Sequence, residues 1–176
     1  MRLTLCLLAL TFIAATFAGD LCLAQGQVSL GNHLVTSRLP GPYAITTADF
    51  NRDGRMDIAV ANYTGNSVTV LLAQGNNAYV KKTYSVGVGP SSITSADLNG
   101  DLIQDLIITC YFGNVVSVLR GRDDGTFDPV VNYPVTRAHH AVAADLNGDG
   151  FADLAVVNDE ANKYSVMINK KDGTFA

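Results

Sequence analysis

The sequence predicts an all-β fold made of β-propeller blades: three four-stranded antiparallel repeats of 48 residues that form an incomplete ring. Three observations predict it. An aspartate set recurs at a fixed interval, with Asp49, Asp97 and Asp145 each 48 residues apart. The runs between these sets are short, rich in Val, Ile, Thr and Tyr, and punctuated by Gly and Asn, which is strand and turn chemistry. No stretch beyond the leader carries a convincing 3.6-residue apolar period. With 48% hydrophobic and 16% charged residues in 176, the chain has the material for a packed domain.

Residues 1–24 read as a signal peptide, with Arg2, a long apolar run, and Cys22 and Ala24 at the small-residue positions before the cut. A cut after Ala18 is the alternative. The run is shorter than the ~20 residues of a spanning helix, which separates it from a membrane anchor. Gly19, Asp20 and Leu21 do not form a lipidation box ahead of Cys22. Cys6 and Cys22 leave with the signal. Cys110, inside the apolar run LIITCY, is expected to be a buried small hydrophobe without a disulfide partner. The leader places the chain outside the cell, secreted or at the cell surface.

Residues 25–38 read as an N-terminal strand or linker, followed by blades at 39–86, 87–134 and 135–176, the last one truncated. In the first blade AITTAD leads into an acidic loop and IAVAN leaves it. SVTVLL follows the turn YTGN, and YVKKTYSV follows AQGNNA. The register persists downstream, where Ala78-Tyr79 aligns with Thr126-Phe127 and Thr174-Phe175. Three blades are fewer than the roughly four to eight of natural rings. The chain is therefore either a piece of a longer ring or a homo-oligomer that completes one, with residues 27–39 offered as the missing outer strand.

The acidic loops have the spacing of a hard-cation site. Counting from the first aspartate, oxygen-bearing side chains stand at positions 1, 3, 5 and 9, with a backbone carbonyl at 7 and glycine at 6. The first copy supplies Asp49, Asn51, Asp53, the Arg55 carbonyl and Asp57; the second Asp97, Asn99, Asp101, the Ile103 carbonyl and Asp105. The third supplies Asp145, Asn147, Asp149, the Phe151 carbonyl and Asp153. An EF-hand is excluded, because its position-12 glutamate is replaced by Val60, Ile108 and Val156, and a β-run follows. Calcium is favoured over magnesium, which keeps its waters, and over zinc, since no His or Cys lies in a loop. Leu102 stands at position 6 of the second copy, so that site is expected to be weaker or empty.

Nine of the 16 acids sit in these loops, so the net charge of −4 is local. One divalent ion per loop would make it −4 + 6 = +2. The 12 Lys and Arg are scattered without a stripe, which argues against a nucleic-acid partner.

The segments GPSSITSADLNGD and DLIITCYFGNVVSVLRGRDDGTF resemble FG-GAP or VCBS-type repeats, and more distantly the calcium-binding blades of the integrin α-chain head, over residues 39–176. The resemblance implies metal loops on one face and ligands on the opposite one. That face would carry the turns Tyr63 to Asn66, Tyr111 to Asn114 and Asp159 to Asn162, and the connections Gly87 to Ser91 and Arg137 to His140. Tyr63 and Tyr111 are equivalent and either pack on their neighbours or meet a ligand. His139 and His140, replacing Ser91 and Ser92, are read as solvated or partly packed. The expected function is a secreted, non-catalytic, calcium-binding module for adhesion to an extracellular protein or carbohydrate. The alternatives are a polysaccharide lyase or hydrolase, drawing on Asp123, Asp124, Asp128, Asp159, Glu160 or Asp172, and a fragment without a stand-alone role. Asn62-Tyr63-Thr64 is a glycosylation sequon.

Overall fold

The computed structural model describes residues 38–76, 78–159 and 162–176. The leader, most of the N-terminal linker, the outer-strand candidate up to residue 37, and Glu160 lie outside the described residues.

Within them every element is a strand. The first sheet is the meander β1 (Pro42–Ala48), β2 (Asp57–Asn62), β3 (Ser67–Ala73) and β4 (Tyr79–Ser85). The second is β5 (Pro90–Ala96), β6 (Asp105–Cys110), β7 (Val115–Leu119) and β8 (Val131–Pro134). The third has three strands, β9 (Ala138–Ala144), β10 (Asp153–Asn158) and β11 (Lys163–Met167). All pairs are antiparallel.

Burial explains the composition of each strand. The second strand of a repeat packs on both faces, so DIAVAN and DLIITC are nearly continuous apolar runs rather than alternating ones. Ala59, Ala61, Val68 and Val70 of the first sheet meet Leu106, Ile108 and Cys110 of the second. Ile107, Val116 and Val118, on the reverse face of the second sheet, meet Leu154, Val156 and Met167 of the third. Each such Val, Leu, Ile or Met side chain, taken fully out of water, stabilises the stack by about 1.5–3 kcal/mol. The first strands of successive sheets are neighbours, β1 beside β5 and β5 beside β9, which is how blades gather around an axis.

The outer face of the third sheet is apolar and open. Val157, Tyr164 and Val166 are 52%, 78% and 46% exposed, whereas Thr109, Val116 and Val118, one repeat earlier, are 0%, 0% and 2% exposed. Equivalent strand positions are thus covered by a neighbouring sheet in the second repeat and not in the third.

Two further expectations meet the structure here. Cys110 is fully buried, and burial pushes its thiol above the ordinary range. Asn62 of the sequon is also fully buried, with its amide donating to Ser67 and Thr69, so the folded chain does not present it for glycosylation.

Candidate metal centre

The three acidic loops connect the first strand of each sheet to the second, and their internal bonding repeats position by position. The carboxylate at position 1 receives the amide of position 6: Gly54 to Asp49 at 2.8 Å, Leu102 to Asp97 at 2.8 Å, Gly150 to Asp145 at 2.9 Å. The asparagine at position 3 donates its side-chain amide to the position-5 aspartate: Asn51 to Asp53 at 2.8 Å, Asn99 to Asp101 at 2.8 Å, Asn147 to Asp149 at 3.2 Å. That aspartate receives the amide of position 7, from Arg55, Ile103 and Phe151.

The position-9 aspartates are buried and bridge the strand ends. Asp57 Oδ2 accepts from Phe50 N at 2.9 Å and Oδ1 from Ala73 N at 2.7 Å. Asp105 does the same with Leu98 and Gly121, and Asp153 with Leu146 and Asn169. The sequence reading assigns these residues to a cation; the structure shows that they also splice the loop to the end of the third strand of the repeat. A carboxylate oxygen has two lone pairs, so one backbone bond leaves an acceptor site.

Backbone conformation explains the small residues. Position 6 is left-handed in every copy, with φ of 83° at Gly54, 66° at Leu102 and 89° at Gly150. Position 4 is left-handed as well, at Arg52 (57°), Gly100 (80°) and Gly148 (78°), which the sequence reading missed. Glycine in two of the three copies was the available signal. Leu102 does adopt the required conformation and keeps the bond to Asp97, so the second loop retains its shape at a backbone cost.

Burial, with smaller contributions from the charges of Asp101 and Asp97, pushes Asp105 up to about 6. Burial likewise raises Asp57, which Asp53 and Asp49 repel. The exposed Asp145 is held low, chiefly by the amide of Gly150. Basic partners neutralise part of the charge: Arg55 pairs with Asp53 at 2.5 Å and Lys171 lies 3.7 Å from Asp149. Among the described residues no three Asp, Glu, His or Cys side chains stand together as a metal-binding group by themselves. Each loop instead offers a mixed oxygen set of carboxylates, one amide and one carbonyl, with repulsion among its carboxylates. That donor chemistry suits a hard cation.

A family model described as FG-GAP-like repeat matches residues 49–108 and again 97–156, each match beginning at the first aspartate of a loop. The chain belongs to the FG-GAP-like repeat family. No curated protein matches it. A solved structure of an Agrocybe aegerita lectin, described as specifically recognising non-reducing terminal N-acetylglucosamine, is similar with a TM-score of 0.49 and 22% identity, covering 75% of this chain. The present FG-GAP-like chain spans 36% of that protein's length.

In this FG-GAP-like chain the following sheet buttresses each of the first two loops. Phe127, on the turn after β7, packs edge-on against Phe50 at 5.6 Å, and Gly125 sits against Leu72 and Asn51. Asn169 donates to the Leu98 carbonyl at 2.7 Å, across the next interface.

Four of the described acids outside the loops are engaged in turns and surface pairs. Asp124 and Asp172, one repeat apart, cap the amides of Thr126 and Thr174; Asp128 pairs with Arg122, and Asp123 with Arg52.

At the other end of the sheets the equivalent turns also bridge blades. Asn66 Oδ1 accepts from Gly89 N at 2.9 Å, and Asn114 Oδ1 from Arg137 N at 2.9 Å. Tyr63 and Tyr111 sit in an aromatic row there, in which Tyr43 stacks on Tyr63 at 5.2 Å and Phe112 meets Tyr111 at 5.2 Å. His139 and His140 are exposed, and His139 lies edge-on to Tyr111 at 5.9 Å. Tyr43 and Phe112 were not singled out from sequence.

Proposed function

We infer that the chain is a non-catalytic, calcium-stabilised binding module that works outside the cell. The observation that carries this reading is the threefold recurrence of one oxygen-lined corner with the same internal bonds. Asp49, Asn51, Asp53, the Arg55 carbonyl and Asp57 would hold calcium in the first loop. Asp97, Asn99, Asp101, the Ile103 carbonyl and Asp105 would hold it in the second, and Asp145, Asn147, Asp149, the Phe151 carbonyl and Asp153 in the third. The ion would supply positive charge to clustered carboxylates and so lock the corner between two strands.

The chain's own residues support the rest. The loops hold their shape through backbone amides, which preorganises the oxygens, and the interfaces between sheets are tied to those loops through Phe127, Gly125 and Asn169. Locking the corners would therefore stiffen the stack that presents the opposite end to a ligand. The apolar leader supports export.

Thermal unfolding in calcium and in chelator tests the reading. At free calcium about 100 times the dissociation constant, each site adds about 2.7 kcal/mol, so calcium should raise the melting temperature by many degrees. An identical melting curve in both conditions would remove the reading. Magnesium at equal concentration should give a smaller rise.

A further inference from the structure

In all three repeats the pairing of the first strand with the second slips by one residue at the same place. The slip lies between Pro42 and Ala44, between Pro90 and Ser92, and between Asn158 and Val157 opposite Ala138 and His140. The skipped residues are Tyr43, Ser91 and His139, which are 48 residues apart. A bulge turns its side chain out of the regular alternation, and bulges repeated at one position are built features. These three residues line a single cleft. Its other lining residues are Tyr63, Tyr111 and Asp159, again one per repeat at equivalent positions, each opening the turn after the second strand.

The cleft therefore takes two residues from each repeat and gathers them at one end of the stack. β1 runs seven residues from Pro42 to Ala48, about 20 Å of strand, so the cleft and the acidic loops lie at opposite ends of the sheets. Three of its six lining residues are tyrosines, and Tyr43, 60% exposed, is held in place by stacking on Tyr63. Exposed aromatics fixed in place cost little further entropy when a flat ligand stacks on them. Hydrogen-bonding groups stand at the rim, on His139, Asp159 and the tyrosine hydroxyls. Asp159 is the one carboxylate lining the cleft, and outside the lining the Arg137 guanidinium lies over the Tyr111 ring at 5.0 Å.

We propose that this cleft binds a neutral pyranose, the terminal ring of an oligosaccharide, by stacking it on Tyr43 and Tyr111 while the rim groups take its hydroxyls. A sugar ring has apolar C–H faces and a polar edge, which matches aromatic walls with a polar rim. The Asp159 carboxylate selects against anionic uronic-acid or sulfated rings. This assignment rests on the reading of the chain as a binding module and names its site and ligand class.

The test is a panel of immobilised oligosaccharides ending in neutral hexose or N-acetylhexosamine, with uronic-acid and sulfated ones as comparators, probed with the chain in millimolar calcium. Neutral oligosaccharides should be retained. Tyr43→Ala and Tyr111→Ala should weaken binding at least about tenfold, and Tyr43→Phe should stay within about threefold. Tyr164→Ala, an exposed tyrosine on the third sheet, should change nothing. Tyr43 is largely exposed, so its variants should melt with the parent and loss of binding will not report loss of fold. Three results would overturn the assignment: no neutral oligosaccharide bound by the folded chain, undiminished binding by Tyr43→Ala, or retention of charged sugars or a protein alone. Each leaves the calcium response of the melting curve untouched, so the two readings fail separately.

Discussion

Leu102 and Arg52 each hold a left-handed backbone in a loop that elsewhere uses glycine. The conformation costs an L-residue about 1–2 kcal/mol, partly offset by the greater freedom of glycine in the unfolded chain. Leu102→Gly should therefore stabilise the chain by about 0.5–1 kcal/mol in urea unfolding, and Gly150→Leu should destabilise it by a similar amount. Asp105 makes a pH prediction. Its folded pKa is about 6, against about 3.9 for an unfolded aspartate. The folded state thus holds its proton more tightly, and the stability this gives is complete below pH ~4 and lost as pH rises through ~6. In chelator the melting temperature should fall across that window, and Asp105→Asn should flatten the fall. Calcium, which favours the ionised carboxylates, should reverse the slope.

This is also the scale at which the sequence was most legible. The aspartates, the asparagine and the glycine at position 6 are a local pattern whose spacing carries its own chemistry. Their backbone partners were not legible, because an aspartate that accepts from Ala73, 16 residues downstream, looks the same in sequence as one facing only an ion. Leu102 was correctly read as a departure, while Arg52 passed unnoticed because position 4 was not suspected of positive φ.

Among the elements, the turns do the joining. Asn66 and Asn114 each accept a backbone amide from the next repeat. Asn114→Ala should cost about 1 kcal/mol through that lost bond, beyond the left-handed cost shared by all three asparagines. Asn162→Ala, at the equivalent place on the third sheet, should cost only the shared part; the difference between the two in urea unfolding isolates the clamp. The turn glycines divide in the same way. A Cβ on Gly125 would lie 2.8 Å from Leu72 and 3.0 Å from Asn51, whereas one on Gly54 meets nothing within 4 Å. Gly125→Ala should destabilise clearly more than Gly54→Ala, which bears only the conformational cost of about 1 kcal/mol.

Strand existence was legible, since four to seven apolar or β-branched residues between turn signals leave little choice. The β-bulges were not. Tyr43, Ser91 and His139 share no chemistry, so nothing but the repeat register connects them, and the slip depends on pairing across the sheet. The cleft they line is visible only once the three sheets stand side by side.

At the scale of the molecule, two interfaces between the described sheets and the open face of the third sheet set the behaviour. Val118→Asp places a charge between the second and third sheets and should destabilise the chain by several kcal/mol. Val166→Asp, its equivalent one repeat on, should cost under about 1 kcal/mol and reduce association at high concentration. A large loss from Val166→Asp would mean that the face is covered in solution. The fold class was legible at this scale because the 48-residue period joins short strand runs into a repeat that cannot bury both faces and must stack. What covers the last face was not, since an apolar β-strand reads the same whether a neighbour follows or not.

The most direct test of the central claim is to count calcium bound to the folded chain by equilibrium dialysis across a range of free calcium. The account predicts three ions per chain at saturation, with the site containing Leu102 the last to fill, and a loss of one ion in Asp145→Asn with Asp149→Asn. A folded chain that binds no calcium at millimolar concentration would contradict it.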